Sequence, residues 1–344
     1  MQTIRNTLVV MDAKQPDSLI LNKAKLIASA TRSHLHLLAC DKKNNSSFHL
    51  AATETALRNE GFSVTSQQAW NQSLHKSIIT AQQAEGCGLV IKQHTPDNPL
   101  TKTFLPSEDW KLLRFCPCPV LIVKTAAPWT GGAILAAIDA GNEEVTHRLL
   151  HAGIVSHGYD IAKMTGATLH LMSARPCPEL LAADPAYQVA ESIQALYLDH
   201  CKTLLAEYSI DDEYLHIEEG PAEALIPSIA QRLNVVLTVI GTVARSGLVG
   251  ALIGNTAETV LDSLDCDVLV LKPDDIISHL EELAAPPPSP SLDSAIHSWP
   301  YSHTPHIEMH NNKPAQPETK LTALYPVDQS ITVTSPQEPT THAR

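Results

Sequence analysis

The sequence predicts an α/β protein: two tandem open parallel sheets of five strands each, with helices on both faces, followed by a disordered C-terminal tail. Two observations carry the sheets. Short apolar runs of strand length alternate with segments of helical period over the first 272 residues, and several of those runs return later in the same order. A third observation carries the tail. From Pro286 onward there are eleven prolines and no glycine, with Ser, Thr, His and Gln between them, a composition that cannot assemble a core.

Thr7 to Asp12 (TLVVMD) reads as a buried strand ending on a carboxylate, and Ser18 to Ala30 as a helix with Leu19, Leu26 and Ile27 at helical spacing. His36 to Cys40 is a second strand. A helix from His49 to Glu60 follows, stopped by Gly61, then a weakly alternating outer strand within Phe62 to Trp70. Leu74 to Glu85 is helical, Gly88 to Gln93 is a short strand, Ser107 caps a helix to Phe115, and Pro119 to Lys124 closes the unit as a buried strand. This βαβαβαβαβ order implies a doubly wound sheet.

The pattern then restarts. ILAAID, ending at Asp139, repeats LVVMD, ending at Asp12; LHLMSA repeats LHLLAC, with His170 matching His36; CDVLVLK repeats CPVLIVK, with Lys272 matching Lys124. The offset grows from 127 residues to 134 and then 148 across these three matches, so the second unit is the longer one. The expected domains are 1–126, 131–275 and, at 276–344, a short helix (Asp274 to Leu283) leading into the tail.

The strongest functional signal is Val235 to Asn255, VVLTVIGTVARSGLVGALIGN. Its first seven residues form a strand apolar enough to be buried on both faces. Gly247, Gly250 and Gly254 then give the backbone the freedom a phosphate cradle needs. Asn255-Thr256-Ala257-Glu258 has the form of a capping box, so a helix begins there with its free N–H groups turned toward any anion, and Arg245 adds a full positive charge. At the offset of 148, the corresponding loop of the first unit carries Gln93, Pro96 and Pro106, and no glycine. Proline fixes φ and has no N–H to donate, so ligand binding is assigned to the second unit.

Composition narrows the function classes. The net charge of −13 argues against direct nucleic-acid binding, which draws on Lys and Arg neutralising phosphates. No run of 18 apolar residues and no signal-peptide pattern occurs, so a soluble cytoplasmic protein is expected. Seven scattered cysteines fit a reducing compartment.

Gly241, two residues, Ala244, nine residues, then Gly254-Asn255 resembles the Gly-x2-Gly-x9-Gly-(Ser/Thr/Asn) nucleotide signature of universal stress proteins. With the Asp-ended strands, the segments PSEDWKLLRFCPCPVLIVK and IGTVARSGLVGALIGNTAETVLDSLDCDVLVLKPD, and the duplication, the chain resembles the tandem members of that UspA family over about 1–275. The resemblance implies a non-catalytic stress-survival role with ATP or another nucleotide as ligand. It also implies a site made of Asp139 near the base, Gly241, Gly254 and Asn255 around ribose and phosphates, and the adjoining Thr256. Ala244 departs from the second motif glycine. The alternative is an interaction or scaffold module with both crevices vestigial.

Other constellations rank lower. His147 and His151 stand four apart on a helix, but without a third ligand they read as solvated histidines, and no metal is expected. Cys116-Pro117-Cys118 could be a redox or metal pair, yet Cys118 enters a buried strand, where cysteine commonly acts as a small apolar residue. No catalytic motif stands out. A small nucleotide-like ligand is the expected partner; the protein partner is unassigned, and the apolar last strands make a homodimer plausible.

Overall fold

The structure, a computed structural model, describes residues 1, 4–11, 17–41, 47–94, 108–142, 144–176, 190–242 and 255–273; at 17, 18, 47, 48, 190–192 and 255–258 it describes the backbone alone. The described residues fall in one unit, Met1–Pro287. The expected tail helix and the proline-rich tail lie outside them, as does Asp12.

In the first half the elements are β1 (Asn6–Met11), α1 (Asp17–Thr31), β2 (His34–Ala39), α2 (Ser47–Asn59), β3 (Val64–Gln68), α3 (Leu74–Ala84), β4 (Leu89–Gln93), α4 (Glu108–Phe115) and β5 (Val120–Val123). The second half repeats them as β6 (Ala133–Ile138), α5 (Val145–Thr165), β7 (Thr168–Arg175), α6 (Ala190–Leu205), β8 (Leu215–Glu219), α7 (Ala222–Arg232), β9 (Val235–Gly241), α8 (Asn255–Ser263) and β10 (Asp267–Leu271). Each half is a parallel sheet with the order third, second, first, fourth, fifth. The duplication read from the strands is therefore a duplication of topology.

The two sheets continue into each other. β5 pairs antiparallel with β10, giving one ten-stranded sheet. The register is self-symmetric: Leu121 faces Leu269, its own counterpart at the offset of 148, and Ile122–Val268 and Val120–Val270 flank it. A pseudo-two-fold axis thus passes between Leu121 and Leu269. It places α1, α2, α5 and α6 over one face and α3, α4, α7 and α8 over the other, with a separate apolar core on each. The strands expected to favour a homodimer spend their edges on each other, which removes the basis for that expectation.

Two lysines fasten the seam reciprocally. The Lys124 ammonium, at the end of β5, donates to the carbonyls of Leu261 (2.7 Å) and Leu264 at the C-terminus of α8. Lys272, just past the end of β10, donates to the Cys116 carbonyl (2.7 Å) just past α4. Cations at helix C-termini satisfy carbonyls left over by the helix and complement its dipole. One residue breaks the symmetry. Asp267, fully buried, accepts from the N–H groups of Lys124 (2.8 Å) and Thr125 (3.0 Å) and from Trp129 Nε1 (2.9 Å), and lies 3.3 Å from the Lys23 ammonium. Those donors belong to the start of the connection between the halves and to α1, so Asp267 holds a connecting segment that the duplication does not repeat.

Backbone conformation also preserves the duplication where residue type does not. Gly166 ends α5 with φ +62, and Arg32, its counterpart 134 residues earlier, ends α1 with φ +56. Gly86 and Asn234, and likewise Gln72 and Gly220, are pairs of positive φ 148 residues apart. The fold demands a left-handed residue at each position, and only one member of each pair has retained or acquired glycine.

Candidate ligand crevice of the second half

Strand order reverses at β6, which has β7 on one side and β9 on the other. Chains leaving β6 and β9 pass to opposite faces, and such a point opens a crevice beyond the carboxyl ends of the strands. Ala137 pairs with Ile240, so Asp139 and Thr242, two residues further along each strand, leave the sheet side by side.

Asp139 is exposed, while the backbone around it is tightly held. Its N–H points to His151 Nε2 (3.4 Å), the Ala140 N–H donates to Ser173 Oγ (3.1 Å), and the Ala140 carbonyl accepts from His200 Nδ1 (2.7 Å). The Asn142 N–H closes the turn onto the Asp139 carbonyl (3.0 Å). Tyr197 lies against the turn so closely that a Cβ at Gly141 would stand 2.0 Å from its hydroxyl. Glycine is required there. Burial, and then the Asp139 carboxylate, push the Tyr197 phenol above its usual range. The result is an exposed carboxylate on a fixed backbone.

His151 is not the solvated histidine expected from sequence. It is buried, and burial followed by its neighbour His147 pushes its imidazole down to about 4. A neutral ring is what an acceptor at Nε2 requires, so His151 supports the Asp139 backbone, while His147 lies against Glu144 (3.4 Å). Among the described residues no cluster of three or more potential metal ligands occurs.

Gly241 ends β9 with an ordinary φ, and the space beside it belongs to α5: a Cβ would meet Leu150 Cδ2 at 2.6 Å and Ile154 Cδ1 at 3.1 Å. Its glycine is explained by close helix–sheet packing. Ala244, Arg245 and Gly254 lie outside the described residues, and α8 begins at Asn255 and continues through Thr256, as the capping pattern implied. Sequence reading missed Arg175. It ends β7 one strand away, pairs through Nη2 with Glu219 (2.8 Å), and keeps Nε and Nη1 buried with no partner among the described residues. A cation closing an apolar strand at the carboxyl edge was the available signal.

The first half differs at the matching places. Where the second half has Ile240 and Thr242, it has Lys92 and His94, 148 residues earlier. Both engage Asp109 in the first turn of α4: Lys92 at 2.5 Å and His94 at 2.8 Å. Burial alone would raise the Asp109 carboxyl, but His94 and Lys92 outweigh it and hold it below its usual range. An internal carboxylate in the first turn of α4 therefore already engages both cations at this end of the sheet.

Comparison with known proteins agrees with this architecture. Universal stress protein E of Salmonella typhi is 32% identical over 311 residues, covering 82% of this chain and 98% of the relative. The chain belongs to the universal stress protein family. The family model, described as the Universal stress protein family, matches residues 132–272, the half that carries the glycine loop. Universal stress protein E of Escherichia coli K12 is 34% identical over 224 residues, with 63% of this chain and 70% of the relative covered. A crystal structure of a functionally unknown protein from Pseudomonas aeruginosa PAO1 is 60% identical and superimposes with a TM-score of 0.74 over 82% of this chain and 98% of that one. A universal stress protein from Archaeoglobus fulgidus, at 16% identity and a TM-score of 0.57, shares the fold over 78% of this chain and 97% of its own. Among the described residues no helix is long and apolar enough to cross a membrane.

Proposed function

We propose that the second half binds a nucleotide or nucleotide-like metabolite in the crevice beyond β6, β7 and β9, and that this cytoplasmic protein supports survival under stress without catalysing a reaction. The observation that carries the reading is an exposed carboxylate just past β6 and, at the end of the neighbouring β7, a guanidinium whose Nε and Nη1 are buried with no partner among the described residues. Asp139 would accept from hydroxyl or amino groups of the ligand. Arg175, with Arg245 and the first N–H groups of α8 at Asn255 and Thr256, would take its anionic part. Ala244 and Gly254 would shape the loop between, and Gly241 would act by letting α5 close on β9. A non-catalytic role is supported by the histidines at hand: His151 Nε2 and His200 Nδ1 are committed to backbone groups.

Native mass spectrometry of freshly purified protein, repeated after denaturation and refolding, tests the proposal. A small molecule retained by wild type and lost from Asp139→Ala and Arg175→Met is the expected result. A protein that emerges empty, and that ignores added ATP, ADP and UDP-sugars, would refute it and leave the interaction module as the better account.

A further inference from the structure

The Cys116-Pro117-Cys118 segment lies apart from the crevice, at the seam between the halves. Cys116 follows the last turn of α4 and Cys118 leads into β5, both buried, with their sulfurs 3.7 Å apart and in hydrogen-bonding contact. Pro117 between them has no N–H, so no backbone donor of its own fixes the bend. Across the seam, the buried Lys272 ammonium rests on the Cys116 carbonyl. A lysine is costly to bury, and the titratable groups around this one are the thiols of Cys116 and Cys118. Cys87, at the turn before β4, packs into the same core cluster.

The two thiols are unequal. The hydrogen bond shared with Cys118, and then the Lys272 charge, outweigh burial and hold the Cys116 thiol below its usual range, whereas the same contact and burial hold Cys118 well above. Among the other described cysteines, burial pushes Cys40, Cys87 and Cys201 up to about 12 and raises Cys266. Two thiols in contact, beside a buried ammonium, have the parts of an attacking and a resolving pair.

We propose that Cys116 and Cys118 form a dithiol redox site that hydroperoxides oxidise to an intrachain disulfide at the seam. The Cys116 sulfur attacks the terminal oxygen of the hydroperoxide, the O–O bond breaks, and the alcohol or water leaves with a proton. Cys116 is then a sulfenic acid. The Cys118 sulfur attacks it, the S–O bond breaks, water departs with the Cys118 proton, and the S–S bond forms. Two thiols lose two electrons and two hydrogens, and one peroxide takes up both. The sulfurs close from 3.7 Å to about 2.05 Å, a shift borne by the carbonyl that anchors Lys272.

The test uses the reduced full-length protein with hydrogen peroxide, quenched at intervals, alkylated under denaturing conditions and digested with trypsin. Cleavage after Arg114 and Lys124 isolates both cysteines, and no others, in peptide 115–124. The expected result is that this peptide loses two hydrogens and its capacity for alkylation before those carrying Cys40, Cys201 or Cys266. Lys272→Met should slow the conversion about tenfold, one unit of thiol acidity, while Lys272→Arg keeps the rate. Cys118→Ser should stop at a Cys116 sulfenic acid that dimedone traps. The proposal is overturned if peptide 115–124 keeps both thiols while Cys40 is oxidised, if Cys116 instead joins Cys87, or if dimedone finds nothing on Cys116. Because the wild-type peptide decides the outcome, a Lys272 variant that fails to fold leaves the test intact.

Discussion

Removing the Asp267 carboxylate should cost more stability than any other single truncation at the seam. In Asp267→Ala, three donors lose their acceptor: the half-buried N–H groups of Lys124 and Thr125 and the buried indole of Trp129. Each orphaned donor costs about 1–3 kcal/mol. The Lys23 ammonium, which burial already disfavours, loses the anion 3.3 Å away, keeping the Ala127 carbonyl and the Trp129 ring face as neighbours. Water entering the vacated space offsets part of the loss. An expected destabilisation of about 4 kcal/mol lies within the range for breaking a buried pair, and it corresponds to a fall in Tm on the order of 10 °C for a unit of this size. Urea unfolding followed by Trp fluorescence and far-UV circular dichroism gives the free energy, and calorimetry gives Tm. A double variant adds a stricter condition. Lys23→Met with Asp267→Leu removes both charges, and should lose at least 1 kcal/mol less than the two single variants together. A loss below about 1 kcal/mol for Asp267→Ala, or simple additivity in the cycle, would refute the view that Asp267 anchors the connection.

Three further outcomes are expected. Arg32→Gly should raise stability by up to about 1 kcal/mol, because a left-handed φ strains a residue with a Cβ, and Gly166→Ala should lower it by a similar amount; chemical denaturation checks both. Lys124→Met should cost about 1–3 kcal/mol by stripping a charge-assisted donor from the last carbonyls of α8, with faster amide exchange confined to that turn. His151 predicts a pH dependence. Its folded value of about 4 lies below the ordinary value of about 6.5, so between the two the unfolded chain binds more protons. Stability from this group is therefore full above about pH 6.5 and declines as the pH falls toward 4, by at most about 3 kcal/mol. His151→Gln retains an acceptor for the Asp139 N–H without that proton uptake. The wild-type curve should fall relative to the variant across this window, and parallel curves would remove His151 from the account.

The sequence by itself determined the duplication, the order of strands and helices in each half, and the location of the glycine loop. Hydrophobic periodicity, glycine stops and capping residues are local signals, and they act through the backbone of the segment that contains them. Their accuracy shows in β9, which spans Val235–Gly241 as expected, and in α8, which begins at Asn255. The prolines and missing glycines of the first half's loop were equally legible in the sequence, while that loop, 95–107, lies outside the described residues. Tertiary structure decided the rest. Apolar β5 and β10 announce that an edge must be covered, but not that each covers the other, because partner choice lies in the register of residues 148 positions apart. Asp267 looks like an ordinary residue at the start of a strand until the connection folds over it and points three donors at its carboxylate. His151 on a helix reads as solvated until that helix lies on the sheet and turns its ring toward the Asp139 N–H. Gly241 matched a ligand motif by spacing, while the atoms that fill the room left by its missing side chain come from Leu150 and Ile154, about 90 residues earlier in the chain. A local pattern fixes what a residue can do, and the residues packed against it determine which of those capacities is used.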